Sequence, residues 1–391
     1  MSIKENNDKL IRSFMILIYS LPAVAIKLIG NIPIRYTSII YMLLLKKVNR
    51  DSTLLLISIY LYILNMIIGG FFSREASFLD ISYILAFLAC FVFVNFCYKS
   101  SFNLDKWIKI FLIVNLSYAL SQTLLLYIGV PSKFLLLHQN IKTDAYVIPP
   151  TLSYLPMLYR YTGLFHESAP FVIYLMFNYI YFSLKIDRKE NKKYKIACLI
   201  GMLFSGAKVG LLFIFYLVFS KLIAKVKVRV GWFIIIGVFS FPFLVVIADS
   251  ILKEYVTGTS IGSLYIRFRF MTSTFDDFFG NLYPMLFGYG VVPSNASFEQ
   301  TRGLDFFSIF LYGNGILGAF FILFPISMHL RKLTKNISLR EKNLISVALF
   351  LSLITSGALT IIQYTYLLAY LSIINRKKSE NICNSACIQK A

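Results

Sequence analysis

Two separated stretches carry ionisable side chains that an otherwise apolar chain has to account for. The first is Arg160-Tyr-Thr-Gly-Leu-Phe-His-Glu167. The second runs from about 249 to 305 and holds Lys253, Arg267, Arg269, Asp276, Asp277, Glu299, Arg302 and Asp305. Charge at a bilayer face costs free energy, so such stretches are the first place to look for function. Arg267 and Arg269 stand two apart in Ser263-Leu-Tyr-Ile-Arg-Phe-Arg269, between the glycines at 258 and 262 and the pair Asp276-Asp277. A guanidinium pairs two phosphate oxygens at once and stays charged, which suits a lipid diphosphate at headgroup level. The same two residues also read as interfacial anchors that snorkel beside Tyr and Phe.

Other chemistries lack their residues. There is no nucleotide-binding loop, no metal-binding helix motif and no nucleophile elbow, and His138, His166 and His329 are too scattered for a metal cluster. Cys90, Cys97 and Cys198 fall in apolar runs as packing residues, while Cys383 and Cys387 have no nearby His. No cofactor or metal is expected. An enzyme of this kind takes its energy from an activated, lipid-linked donor, which needs neither ATP nor a cytoplasmic domain.

The elements that must position these residues follow from composition. Hydrophobic residues make up 58% of the 391 and charged ones 15%, with a mean hydropathy of +0.71, a balance that suits a bilayer and no soluble domain. Apolar runs predict an all-α polytopic bundle of about twelve transmembrane helices. The spans are expected near 13–30, 32–45, 53–71, 79–97, 107–129, 169–184, 196–206, 208–224, 231–248, 305–329, 344–356 and 359–374. They make one integral membrane domain, 1–375, with larger outer segments at about 130–168 and 249–305 and a cytoplasmic tail at 376–391.

The formal charge of +21 is orientation signal rather than a nucleic-acid surface. With both termini cytoplasmic, 28 of the 39 Lys and Arg and 8 of the 18 acids lie inside, a net +20 against +1 outside. Lys208 and Arg160 then join Arg267 and Arg269 on the outer side. A single crossing over 196–224 would put the basic clusters 185–195 and 221–229 on opposite faces. A hairpin breaking at Ser205-Gly206-Ala207-Lys208 keeps both inside, with Gly206 supplying backbone freedom; Ser356-Gly357 breaks the last pair likewise. Lys4, Lys9 and Arg12 before Ala23-Val24-Ala25 resemble a signal peptide, but Pro22 and the apolar residues after Ala25 favour a retained span.

Four blocks in order resemble the O-antigen polymerase family of polytopic glycosyltransferases, which shares its architecture with the O-antigen ligases. They are Arg160-Tyr-Thr-Gly-Leu-Phe-His-Glu-Ser-Ala-Pro170; Phe204-Ser-Gly-Ala-Lys-Val-Gly210; Leu286-Phe-Gly-Tyr-Gly290; and Asp305 followed by a helix carrying Gly313-Asn-Gly-Ile-Leu-Gly318. They cover roughly 155–325, and their order and spacing are more specific than any one alone. Asp305-Phe306 stands where ligases of the superfamily show His-Asn, which leans toward a polymerase. Lys208 stands where an Arg is common, which keeps the charge but loses the fork.

The resemblance implies transfer of a growing polysaccharide from undecaprenyl diphosphate to a newly flipped lipid-linked repeat unit, at the periplasmic face of a bacterial inner membrane. The implied partners are undecaprenyl-diphosphate-linked oligosaccharides, membrane lipids and a protein that regulates chain length. Arg160, Lys208, Arg267 and Arg269 are the candidates for binding the departing diphosphate. Glu167 and Asp305 are the candidate general bases for the acceptor hydroxyl, since partial desolvation raises a carboxyl toward neutrality. Each equally suits a helix N-terminus, as a cap. An O-antigen ligase and a capsule or exopolysaccharide polymerase stay open as pathway alternatives. A lipid-linked oligosaccharide flippase is the alternative from another class, which would keep short outer loops and bury its charges in mid-membrane.

Overall fold

Apolar residues recur at Leu55, Ile59 and Tyr62, with Ser58, Asn65 and Gly69 on the same stripe of an uncharged eighteen-residue run. That stripe is the buried face of α1 (Thr53–Gly70), while Ile57, Tyr60 and Ile67 on the other side are exposed. A helix apolar on both faces buries one in protein and presents the other to lipid. The computed structural model describes residues 52–72, 74, 78–99, 104–130, 162–165, 168–185, 188–223, 232, 234–240, 244, 247, 278–290, 306–355 and 367–374. Among these the regular structure is all helical.

The remaining elements are α2 (Phe78–Lys99), α3 (Leu104–Tyr127), α4 (Ser168–Leu184), α5 (Arg188–Phe204), α6 (Lys208–Ile223), α7 (Leu282–Phe287), α8 (Phe306–Leu333) and α9 (Leu339–Thr355). The spans expected at 53–71, 79–97, 107–129, 169–184 and 305–329 coincide with α1, α2, α3, α4 and α8 to within a few residues. Among the described residues three stretches, Thr53–Gly70, Asp105–Tyr127 and Phe310–Leu333, are long and apolar enough to cross a membrane. The expected spans 13–30 and 32–45, parts of 231–248 and 359–374, and the break at Ser356-Gly357 lie outside the described residues.

Burial ranks the helices. Of the apolar window of α8, 72% is buried, against 22% for α3, so α8 is central and α3 peripheral. Helix α1 packs chiefly on α8, with α2 and α7 beside them; α4 packs on α5, α6 and α9. Helix α9 also touches α8, and one continuous apolar core runs through both groups. Tyr370, in the 367–374 helical stretch, donates from its hydroxyl to Asn178 Oδ1 of α4 at 3.4 Å.

Two breaks are set locally. Helices α5 and α6 part at Ser205–Ala207, where Gly206 has φ 70°, as the sequence predicts. Ser205 Oγ donates to Met202 O (2.8 Å) and accepts from the Ala207 N–H (3.3 Å). Beyond the break, Gly210 lets α6 approach α5, since a Cβ there would meet Met202 O at 3.1 Å. Helix α5 reaches back to Arg188, so the basic cluster is itself helical. Between α8 and α9, Ser338 and Glu341 form a capping box: Glu341 Oε2 accepts from the Ser338 N–H (2.9 Å) and hydroxyl (2.8 Å).

The ends of the bundle follow from these contacts. At one end Asp105 of α3 meets Tyr181 of α4 and Lys185 just after it, and Lys109 lies over the Tyr194 ring of α5. Arg340 of α9 acts electrostatically on Tyr179 and Tyr216, which puts the start of α9 and the end of α8 there too. The opposite end holds the 162–165 turn, Lys208 and the first turns of α8. Alkaline phosphatase fused after residue 145 or 290 is expected to be active, and fused after 190 or 336 inactive. The reverse at any of the four would overturn the assignment of sides from that point onward.

Candidate functional site

Of the six residues singled out for chemistry, Lys208 is described: it is the first residue of α6 and is exposed. Arg160, Glu167, Arg267, Arg269 and Asp305 lie outside the described residues. Glu167 immediately precedes α4 in sequence, and Asp305 immediately precedes α8.

The first block is pinned to α3. Gly163, at φ 58°, sits where a Cβ would come within 2.9 Å of the Phe171 ring. Its carbonyl accepts from Gln122 Nε2 (3.2 Å), and the Leu164 N–H donates to Asn115 Oδ1 (3.3 Å). Phe165 packs on Phe171 and Tyr174. Two amides inside an apolar helix therefore serve the backbone of a turn, which meets the requirement that buried polar groups be paired.

The third and fourth blocks are one structural unit. Helix α8 is broken at Gly315 (φ 68°, ψ 177°), and a break leaves carbonyls of the preceding turn without their helical donors. The 287–290 turn supplies those donors: Tyr289 N–H reaches Tyr312 O at 3.0 Å and Gly290 N–H reaches Gly313 O at 3.1 Å. Asn65 of α1 donates through Nδ2 to Asn314 O (3.2 Å) and Phe287 O (3.3 Å). Irregular backbone at such depth is tolerated where protein satisfies it. The glycines make the approach possible. A Cβ on Gly288 would lie 2.2 Å from Gly313 O, one on Gly315 2.3 Å from the Leu286 carbonyl carbon, and one on Gly318 2.3 Å from Asn65 Nδ2.

A fully buried ion pair braces this clasp. Arg74 Nη2 bonds Asp80 Oδ1 at 2.8 Å, and the same oxygen accepts from the Tyr62 hydroxyl at 2.8 Å. Arg74 Nη1 faces Asn314 Oδ1 (3.4 Å) and Phe287 O (3.5 Å), and its guanidinium carbon lies 5.7 Å from the centre of the Tyr62 ring. Paired with a carboxylate and turned toward two further oxygens, Arg74 is a strut rather than a cation held for a diphosphate.

Aromatic rings cover the clasp. Tyr289 stacks on Tyr312 at 4.9 Å, and Phe72 stacks on Tyr283 and Phe287 at 5.0 and 5.3 Å. Leu282 and Tyr283 of α7 are exposed beside them.

The structure thus brings blocks three and four into contact and leaves Lys208 and the Gly163 turn at the same end of the bundle. Sequence reasoning passed over Arg74, Asp80, Asn65 and Tyr62. The available signal was an acid in the first turn of an apolar helix, six residues after an arginine in a short connection. No protein-family model matches this chain, and neither the curated proteins nor the solved structures searched contain a match to it.

Proposed function

We propose that the chain is a membrane glycosyltransferase of the O-antigen polymerase type, working on undecaprenyl-diphosphate-linked oligosaccharides at the periplasmic face of the inner membrane. The acceptor hydroxyl oxygen attacks the anomeric carbon of the donor sugar, the bond from that carbon to the diphosphate oxygen breaks, and the lipid diphosphate leaves. The hydroxyl proton passes to a carboxylate, Glu167 or Asp305. Arg160, Lys208, Arg267 and Arg269 take the charge that develops on the departing diphosphate. The observation that supports the reading is that described parts of all four blocks lie toward one end of the bundle, with blocks three and four in direct contact and Lys208 exposed.

A flippase is less well supported. The Arg74–Asp80 pair is buried, but it lies past the end of α1 and braces the clasp instead of lining a path through mid-helix.

Purified protein given only lipid diphosphate-linked repeats, without nucleotide or added metal, is expected to elongate them. Deletion of the gene is expected to leave lipopolysaccharide bearing one repeat in place of a ladder. Movement of the lipid-linked unit across vesicles without lengthening would refute the proposal, and free polymer left on the lipid carrier after deletion would point to a ligase. Lys208→Ala removes an exposed side chain and is expected to change stability by less than about 0.5 kcal/mol. Shortened polymer from that variant at normal membrane level would report the loss of its charge, and full-length polymer would remove Lys208 from the site.

A further inference from the structure

Helices α3 and α5 both start at the Asp105 end of the bundle and touch at two levels. Near that end, Lys109 Nζ lies 5.3 Å from the centre of the Tyr194 ring. Further along, Gly201 faces Leu116, so closely that a Cβ on Gly201 would come within 2.7 Å of Leu116 Cδ2. Between and beside these contacts each helix shows a stripe at helical spacing. On α3 it is Lys109, Ile113, Leu116 and Leu120, with Ile113 52% and Leu120 61% exposed. On α5 it is Lys193, Ile196, Ile200 and Leu203, all with a third or more of their surface open. The result is a groove with a glycine on its floor, apolar walls and cations at one mouth.

The mouth carries more positive charge than its own carboxylate neutralises. Asp105 takes both Lys109 (2.9 Å) and Lys185, and Lys193 Nζ lies 5.2 Å from the centre of the Tyr194 ring. Among the described side chains of 191–195, Lys192, Lys193 and Lys195 add three further cations and no acid. Trp107, tilted against Phe111 with ring centres 6.0 Å apart, marks the same level on α3, where an indole suits a membrane–water boundary.

We propose that this groove binds one anionic phospholipid, its phosphate at Lys109 and Lys193 and an acyl chain along Ile113 and Ile200. Charge complementarity selects the occupant: a zwitterionic headgroup gains little from a net positive mouth, while an anionic one is attracted by each nearby Lys or Arg. Gly201 lets α3 and α5 approach beneath the groove, since a Cβ there would meet Leu116 Cδ2 at 2.7 Å and Leu175 Cδ1 at 2.9 Å. The site is separate from the proposed polymerase chemistry, which lies at the other end of the bundle.

The test reads lipid retention, not polymer, so it stands or falls independently of the enzymatic reading. Detergent-purified full-length protein is titrated with phosphatidylglycerol or phosphatidylcholine, and bound lipid is counted by native mass spectrometry. One phosphatidylglycerol is expected to persist under conditions that strip phosphatidylcholine. Lys193→Glu leaves the Asp105 contacts intact and is expected to weaken phosphatidylglycerol about tenfold, for a reversed charge at the mouth. Lys335→Glu, an exposed charge in the α8–α9 turn at the same end, is expected to leave binding unchanged. Ile200→Trp, which fills the groove, is expected to reduce retention of the lipid without changing the dependence on its charge. Equal retention of the two lipids, or equal loss from Lys193→Glu and Lys335→Glu, would overturn the site.

Discussion

Arg74→Ala is expected to destabilise the folded protein by about 3–5 kcal/mol, because it leaves the Asp80 carboxylate buried without its counter-charge. The Tyr62 hydroxyl still donates to Asp80, but a neutral donor does not replace the lost counter-charge of a desolvated anion. Asp80→Asn is expected to cost a comparable amount by stranding the Arg74 guanidinium against Asn314 and Phe287. Arg74→Met combined with Asp80→Asn removes both charges, keeps an acceptor for Tyr62 and is expected to be more stable than either single variant. A double-mutant cycle by equilibrium unfolding in mixed micelles should therefore give a coupling of about 2 kcal/mol or more. Additive losses would mean that the pair is not the brace described.

Gly315→Ala is expected to abolish the native arrangement of α8. Its backbone conformation, φ 68° and ψ 177°, belongs to a region open essentially to glycine, with a strain of about 1–3 kcal/mol for other residues. The added Cβ would also overlap backbone atoms of Leu286 and Phe287 at 2.3–2.4 Å, and backbone cannot swing aside as a flexible side chain does. Alanine at the same time favours an unbroken helix by about 1 kcal/mol. A straightened α8 would turn Tyr312 O and Gly313 O back to intrahelical donors and release the 287–290 turn. Gly70→Ala is the control: a Cβ there meets nothing within 4 Å. Size-exclusion profiles and protease resistance should separate the two, with little monodisperse protein from Gly315→Ala and a normal yield from Gly70→Ala. Equal yields and equal protease resistance would show that the clasp does not hold α8.

Much of the helical layout was legible because it is local. Runs of Leu, Ile and Phe give α1, α2, α3, α4 and α8 within a few residues, since a span needs only length and hydropathy. The α5–α6 break was legible from charge bias together with Gly206, which takes a positive φ. The motif glycines at 288, 315 and 318 were noticed in sequence as marks of a family, yet their placement has a packing reason: each lies where a Cβ would strike a neighbour.

By itself the sequence determined that this is an apolar helical chain with a strong net positive charge, and where α1, α2, α3, α4 and α8 begin and end to within a few residues, while α5 begins eight residues and α9 five residues before the expected start and α7 was not foreseen. Periodicity, hydropathy and glycine act over a few residues, so one stretch of chain contains the whole signal. Tertiary structure alone decided that Asn65 meets Phe287 and Asn314, that Arg74 reaches across to α8, and that two separate glycine blocks form one clasp. Those partners are more than 200 residues apart, and nothing local distinguishes an asparagine that will serve a broken helix from one that faces lipid headgroups. What joins them is the obligation of buried backbone carbonyls to find a donor, and that obligation can be met only after the helices have packed.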